Sequence, residues 1–593
     1  VKQICLTIRI GVHSEEQDFA RVLLDGLSFD LDSLEIQKRL VQADQPHQMQ
    51  SFQPVSSRKI CWDLIGSNVA RKIAPEFWGV CAFGLLNAIL YASLMPLWEG
   101  FDEPFHYGYV QTLDSRHSLP VLGHTPLSEE IFASLSLAPA SSIVKHNLPF
   151  AVTFSEYFAM PEAERRSLRD RLWSLPPGSR FEEAAGTNNY EAQQAPLAYM
   201  ALVPADLLWR DVTLPRRVWM LRLFCAVIAT ILEALLGILL ARAVGLDLVW
   251  HASVLMLIFS SQMFYAAVAR VSNDWLAAPA VTLLFLAALR FRRTPSYGRA
   301  ALLGTAIAAG LLIKAYFLFA LPFAVLVVIA AGRRAIRPAL LAGGIVLATA
   351  GPWYVRNVTL YSNLSGVQQA VQGIGTTETL RAALKVPWPK AIVVLCRSAL
   401  WTGNNSFTSF SATTLYAALI LLVCGFLFWL RAPRERLLAA GCGIFLLTML
   451  YSQAMVYAQF SAISVTPWYT ITLAAPFACL ICLGLSRSGK LGTCIAVLLH
   501  AIFAYIISAT YFLKLIPLYS GYPEGRIRPA PLLAWYLSGA GHDILRDMAL
   551  APPTIIWSLA TGITVSAFAL CALRCRQLIH RSGANACSRK DGG

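Results

Sequence analysis

The chain has 593 residues, of which 56% are hydrophobic and 14% charged, with a formal net charge of +15. An average soluble domain carries roughly 25% charged residues, so the composition excludes a string of soluble domains and indicates a polytopic membrane protein. The basic residues are dispersed over short loops and not gathered on one module, which argues against nucleic-acid binding.

Residues 1–70, with HSEEQDFA and DLDSLEIQKRL, are polar and acidic and lack the short apolar region of a signal peptide. They read as a cytoplasmic extension, disordered or upstream of the true start, with no visible chemistry. From Phe77 onward, apolar runs of bilayer length, about 17 to 25 residues, recur to the end of the chain. The expected spans lie at roughly 77–97, 218–241, 248–268, 272–290, 299–313, 315–331, 338–355, 412–430, 437–457, 466–485, 491–511 and 553–573, twelve in all. Lys314 divides the fifth from the sixth, so 299–331 also reads as one long helix or a broken pair, which changes the count by one. The fold class is an all-α membrane protein whose bundle occupies 71–580, with a cytoplasmic tail at 581–593.

Lys and Arg concentrate on the cytoplasmic side of membrane proteins. With twelve spans, the clusters Lys59/Arg71/Lys72, Arg290/Arg292/Arg293, Arg333/Arg334/Arg337, Arg431/Arg434/Arg436, Arg487/Lys490 and Arg574/Arg576/Arg581 all fall on one side. The opposite side then receives three long loops, 98–217, 356–411 and 512–552. The first contains MPEAERRSLRDRLWSL, where Met160, Leu168, Leu172 and Leu175 stand near helical spacing; an amphipathic helix on the membrane surface and an ordinary solvated helix both fit. The thirteen cysteines avoid that loop, so no disulfide framework is expected there.

Several polar residues converge on the outer side. PLWEGFDEPFHYGYV places Asp102 and Glu103, with His106 beyond them, just past the first span, at a depth where a carboxylate is costly unless paired or facing a wet cavity. NNYEAQQAPLAYM brings Gln193, Gln194 and Tyr199 toward the second span. ARVSNDWLA sets Asn273 and Asp274 in a short turn, AAGLLIKAYFLF isolates Lys314, PWYVRN delivers Arg356, and EGRIRP holds Arg526 and Arg528. For any one of these cations, snorkelling to lipid headgroups is an adequate explanation. Together they suit transfer from a lipid-linked phosphate donor, in which an acid activates the acceptor and cations hold the departing phosphate.

PLWEGFDEPFHYGYVQTLDSRHSLPV, YEAQQAPLAYMALVPADLL, LRLFCAVIA, RVSNDWLAAPAVTLLFLAALR, GLLIKAYFLFALP and PWYVRN occur in an order that resembles the GT-C class of membrane glycosyltransferases, over roughly 75–485. That class includes protein O-mannosyltransferases and lipid A aminoarabinose transferases. The chain also resembles a bacterial group of membrane proteins with a P-x-D-E-P-x-H stretch, with Gly100 in place of its first Pro. The resemblance implies a bundle of many transmembrane helices, an active site at the outer face of a bacterial inner membrane, and a polyprenyl-phosphate-linked sugar as donor. It makes Asp102 the catalytic base with Glu103 beside it, Asp274 the second acid, and Lys314 and Arg356 donor-phosphate contacts. His106, Gln194, Tyr199 and Asn273 are the expected acceptor or sugar contacts. Relatives carry Arg-Tyr at the outer start of a late span where this chain has Trp468 and Tyr469, so Arg526 or Arg528 is the expected substitute.

The expected activity is inverting glycosyl transfer to a lipid, glycan or protein acceptor. A secondary transporter or lipid flippase using boundary carboxylates for proton coupling is the alternative from another class, and an inactive scaffold is a third. Transporters usually show internal repeats and broken helices at the midplane; no convincing repeat is visible, and the charges gather at one face. A divalent cation held by Asp102, Glu103 and Asp274 stays open, because hard-ion sites built from separate segments have no diagnostic spacing.

Overall fold

The computed structural model describes residues 75–148, 150–401, 404–463, 467–523 and 527–588; the 1–70 extension and Arg526 lie outside the described residues. Those residues are almost entirely helical, with one two-stranded antiparallel sheet pairing β1 (Pro126–Ser128) with β2 (Glu183–Asn188).

The bundle runs through α1 (Pro75–Leu94), the loop helix α2 (Glu103–Arg116), α3 (Leu214–Ala243), α4 (Leu248–Phe259), α5 (Gln262–Val268), α6 (Ala277–Arg293), α7 (Tyr297–Ile313), α8 (Ala320–Ala331) and α9 (Ile336–Tyr361). It continues through α10 (Ala412–Arg431), α11 (Arg436–Phe460), α12 (Ala474–Arg487), α13 (Gly489–Thr510) and α14 (Pro553–Ser588). Among the described residues, nine helices are long and apolar enough to cross a bilayer, ten if one bent pair is taken as a single span. Three of the twelve expected segments depart from a single helix of bilayer length. The segment 248–268 breaks at Ser260 and Ser261 into α4 and α5, bent by 66°. The segments 299–313 and 315–331 form shorter helices separated at Lys314, whose extended backbone (φ −158°) ends α7 before a 3-10 turn at Ala315–Phe319 leads into α8. Gly310 permits that break: a Cβ there would come within 2.1 Å of the Phe317 ring, which folds back onto α7.

Small residues set the closest approaches between spans, as expected where lipid tails offer no hydrophobic drive for association. A Cβ on Gly484 of α12 would lie 2.2 Å from the carbonyl oxygen of Gly425 on α10. At one end of the bundle the basic turns meet: Glu435 bridges Arg292 and Arg293 at 2.7 Å each, and Arg487 donates to the Ala432 carbonyl at 3.0 Å. The loops between α6 and α7, α10 and α11, and α12 and α13 thus share one side.

The long loop between α1 and α3 folds as a compact unit against the bundle. The helix Glu162–Trp173 buries Leu172, packs Met160, Leu168, Trp173 and Leu175 against the core, and pairs Arg169 with Asp547 at 3.3 Å. Its apolar stripe is thus engaged by protein contacts, though only in part buried.

Candidate active site

The site begins where α1 ends. The chain turns through Trp98 (φ 65°) and Asp102 (φ 56°, ψ 16°), both left-handed and neither glycine. Asp102 is the N-cap of α2, a position where Asp normally spends its carboxylate on the helix's free N–H groups. Here no such bond forms. The carboxylate instead accepts from the Tyr190 hydroxyl through Oδ1, and the residue is half-buried, open on the other side.

Glu103, its sequence neighbour, faces the opposite way. It is fully buried in an ion pair with Arg222 of α3; Arg222 Nε donates to Oε1 at 2.7 Å, and the Val271 amide reaches the same oxygen at 3.0 Å. Arg222 also donates to the carbonyls of Met95 and Pro96, at 2.7 and 2.9 Å. Glu103 therefore ties the end of α1, the middle of α3 and the turn before α6 into one frame. A second buried pair, Arg217 with Glu130 at 2.9 Å, joins the root of α3 to the outer loop, and Tyr107 of α2 receives from Arg217 and donates to Asp206.

Within that frame the cations cluster on Asp274. Lys314 pairs with its Oδ1, and Arg270 pairs with its Oδ2 at 2.5 Å. The ammonium of Lys314 lies 4.5 Å from the centre of the Tyr469 ring. Arg270 also donates to the Phe101 carbonyl at 2.9 Å and lies over the Phe101 and Trp468 rings, which stack on each other at 4.2 Å. Aromatic faces hold a cation in place without neutralising it. Two cations therefore meet one dedicated carboxylate.

Glu191, next to Tyr190, completes the cluster. It is buried within electrostatic reach of Asp102, Lys314 and Asp274, bonds to the Gln194 side chain, and leaves Oε2 without a hydrogen-bond partner. Burial, reinforced by the charge of Asp102, pushes its carboxyl up to about 8. Asn273 donates to Gln194 Oε1 at 3.0 Å, while Asn273 Oδ1 and Arg270 Nε are also buried and unpartnered. His106 bonds through Nδ1 to the Tyr199 hydroxyl at 2.7 Å; burial, and then the charges of Arg270 and Lys314, hold it well below its usual range, so it stands in the site as a neutral ring.

The sequence-derived residues thus divide. Asp102, Asn273, Asp274, Lys314, Gln194, His106 and Tyr199 lie in or against one cluster. Arg356 takes no part in these pairings; it donates to the Pro120 carbonyl at 2.7 Å and lies over the Trp353 ring, with Nη1 buried and unpartnered. Arg528 is exposed at the start of the helix Pro529–Leu537. Sequence reasoning missed Arg270, Tyr190 and Glu191. Tyr190 and Glu191 stand in NNYEAQQAPLAYM, and Arg270 stands four residues before Asp274, a spacing that the bend at 269–273 converts into an ion pair. Among the described residues no three His, Cys, Asp or Glu side chains converge to hold a metal ion.

No family model and no curated protein sequence matches the chain. Among solved structures it is similar to ArnT from Cupriavidus metallidurans bound to undecaprenyl phosphate, at 15% identity over 86% of this chain and 79% of that one, with a TM-score of 0.43. It is similar to arabinosyltransferase EmbB from Mycobacterium smegmatis at 12% identity, covering 91% of this chain and 42% of that one, with a TM-score of 0.37. A third likeness is to the archaeal oligosaccharyltransferase AglB from Archaeoglobus fulgidus in complex with an inhibitory peptide and a dolichol-phosphate, at 11% identity, 82% and 56% coverage and a TM-score of 0.33.

Chemically, the arrangement combines a carboxylate with one oxygen held and one side open, two aromatic-backed cations, and several buried polar atoms that lack partners. Buried polar groups without partners are costly in a finished core. Such a set suits a polar ligand that carries negative charge and presents a hydroxyl.

Proposed function

We propose that this chain is an inverting glycosyltransferase that moves a sugar from a polyprenyl-phosphate donor to a cell-envelope acceptor at the outer face of a bacterial inner membrane. The observation that carries the reading is the placement of half-open Asp102 in the same cluster as Arg270 and Lys314, two cations that share a single dedicated carboxylate, Asp274. The ordered sequence motifs that resemble GT-C enzymes supply the donor class. The gathering of the basic turns at one end of the bundle supports a cytoplasmic assignment for that end.

In the proposed step the acceptor oxygen attacks the anomeric carbon while the bond from that carbon to the donor phosphate oxygen breaks. Asp102 takes the hydroxyl proton, and the bonding pair leaves on the polyprenyl phosphate. Arg270 and Lys314 stabilise the added charge on that phosphate, a contribution that grows as the bond breaks. Tyr190 fixes the carboxylate of Asp102, which keeps the base oriented. The neutral His106 and the amides of Gln194 and Asn273 are placed to bind sugar hydroxyls. Glu103, spent on Arg222, positions the turn that carries Asp102.

The test is direct. The purified full chain in nanodiscs is incubated with undecaprenyl-phosphate-linked sugars and envelope extracts, and release of undecaprenyl phosphate is followed by mass spectrometry. Wild type releases the carrier lipid and Asp102→Asn does not. Proton-coupled flux of an uncleaved lipid in vesicles, without carrier release, would instead establish the transporter reading.

A further inference from the structure

After the short helix Gln368–Val371, the loop between α9 and α10 carries a helix pair, Thr376–Ala383 and Trp388–Ser398, locked together by the Trp388 indole, which donates to the Ala383 carbonyl at 2.8 Å. Their burial is inverted relative to a helix pair in water. The buried side carries mostly small or medium side chains: Val386, Ala391 and Ala454 form a small cluster with Thr379 and Ala382 also inside, while the partly buried Trp388, Tyr457 and Ile463 pack against it. The face turned away carries the large aliphatics: Leu384 is 89% exposed, Leu380 59%, and Ile392 and Val393 are exposed beside them. A water-soluble helix buries its large apolar residues and exposes its small and polar ones. Here, apart from Trp388 at the junction, the large aliphatics of the pair point outward and mostly small side chains point inward, the pattern of a surface facing lipid.

Charge narrows the partner further. Residues 376–398 contain Arg381, Lys385, Lys390 and Arg397 against Glu378 as the only acid. Arg381, Lys385 and Lys390 are exposed next to the outward leucines. Apolar side chains flanked by cations define an interfacial segment that dips into the headgroup layer and gains from anionic lipid. Residues just C-terminal to the pair fix its side of the membrane. The Ser406 amide donates to Glu99 at 3.0 Å, the Asn405 side chain donates to the Trp98 carbonyl at 3.0 Å, and Phe407 lies 5.2 Å from Phe101. These contacts put the segment on the same face as Asp102.

We propose that the 376–398 helix pair is a lipid-docking surface that lies in the headgroup layer beside the candidate site and prefers anionic phospholipid. It does not depend on the sugar-transfer reading.

The experiment uses the full chain with a photoreactive p-benzoylphenylalanine at Leu384, reconstituted in vesicles of phosphatidylcholine mixed with phosphatidylglycerol. Adducts are identified by mass spectrometry. The same probe at Leu347, exposed in the middle of α9, is the lipid-facing control, and at Ser174, exposed in the first outer loop, the water-facing control. Position 384 should give lipid adducts like position 347, with phosphatidylglycerol enriched roughly fivefold over its share of the vesicle. That enrichment should fall to parity when Arg381→Gln, Lys385→Gln and Lys390→Gln are combined. Lipid adducts at 347 but none at 384 would overturn the docking surface, as would adducts joining two copies of the chain. Lipid adducts with no preference for phosphatidylglycerol in the unsubstituted segment would overturn the anionic partner.

Discussion

Glu103 and Asp102 are adjacent in sequence and belong to two regions built on different rules. In the frame around Glu103, the buried acid meets one guanidinium, and both are saturated by further bonds from Val271 and the carbonyls of Met95 and Pro96. In the cluster around Asp102, cations are shared, and Glu191 Oε2, Asn273 Oδ1 and Arg270 Nε have no partner. A fully paired buried charge contributes rigidity, whereas an unpaired set costs stability and retains bonding capacity for a ligand. One turn of chain, 98–103, serves both regions, which is how the site inherits its geometry from the frame.

The contrast is broken most severely by cutting the frame. Glu103→Ala leaves Arg222 charged and buried alone, and should destabilise the protein by about 3 to 5 kcal/mol, measured as thermal unfolding in detergent micelles. If Glu103→Ala melts like wild type and loses only transfer, the division into frame and site is wrong.

Asp102→Asn should do the reverse. Its melting should match wild type, since the side chain caps no helix, while transfer falls by about a hundredfold or more through loss of the base. A stable variant with near-normal release of carrier lipid would falsify the catalytic assignment.

Lys314→Ala and Arg270→Gln should each weaken binding of undecaprenyl phosphate by roughly ten- to a hundredfold, the worth of about 1.5 to 3 kcal/mol for a charge-assisted contact. Equilibrium binding of the lipid to the purified chain measures this. Arg528→Gln, altering an exposed cation, should leave it unchanged.

The smallest effect concerns pH. Glu191, pushed up to about 8, is neutral below that value and gains a negative charge above it. Donor binding should therefore weaken as pH rises through about 8, and Glu191→Gln should flatten that limb. The linked stability has a fixed sign: the folded state keeps a proton that the unfolded chain releases near 4.5, so this group's contribution is greatest at low pH and is lost as pH rises toward 8. A pH profile unchanged by Glu191→Gln would remove the residue from the binding role.

How much of this was legible in the sequence depends on the range over which each feature is encoded. The spans were readable because hydropathy is a property of a continuous segment. Their breaks at Ser260/Ser261 and Lys314 were less so, because polar residues inside an apolar run signal a break, a ligand or a buried pair equally well. Asp102, Asp274 and Lys314 stood out as charges in apolar surroundings, and the structure puts them together. Pairing stayed hidden. Glu103 and Arg222 are 119 positions apart, so no local pattern distinguishes a structural acid from its neighbour. Arg270 was overlooked for a related reason: its value lies in the rings of Phe101 and Trp468, which come from segments far away in the chain. Trp468 stood out only against the resemblance, as the lack of an expected Arg; in three dimensions it forms part of the seat of another arginine.

The left-handed backbone at Asp102 also shapes which changes the position can absorb. At φ 56° the residues that fit without strain are glycine, asparagine and aspartate. The two neutral members of that group preserve the turn and remove the proton acceptor, while glutamate, the other carboxylate, keeps the acceptor but strains the turn. Trp98 and Glu435 hold the same left-handed conformation elsewhere in the fold, so the strain is a graded cost of about 1–2 kcal/mol per side chain; abundance in the membrane should be best preserved for the neutral pair and fall modestly for bulkier residues.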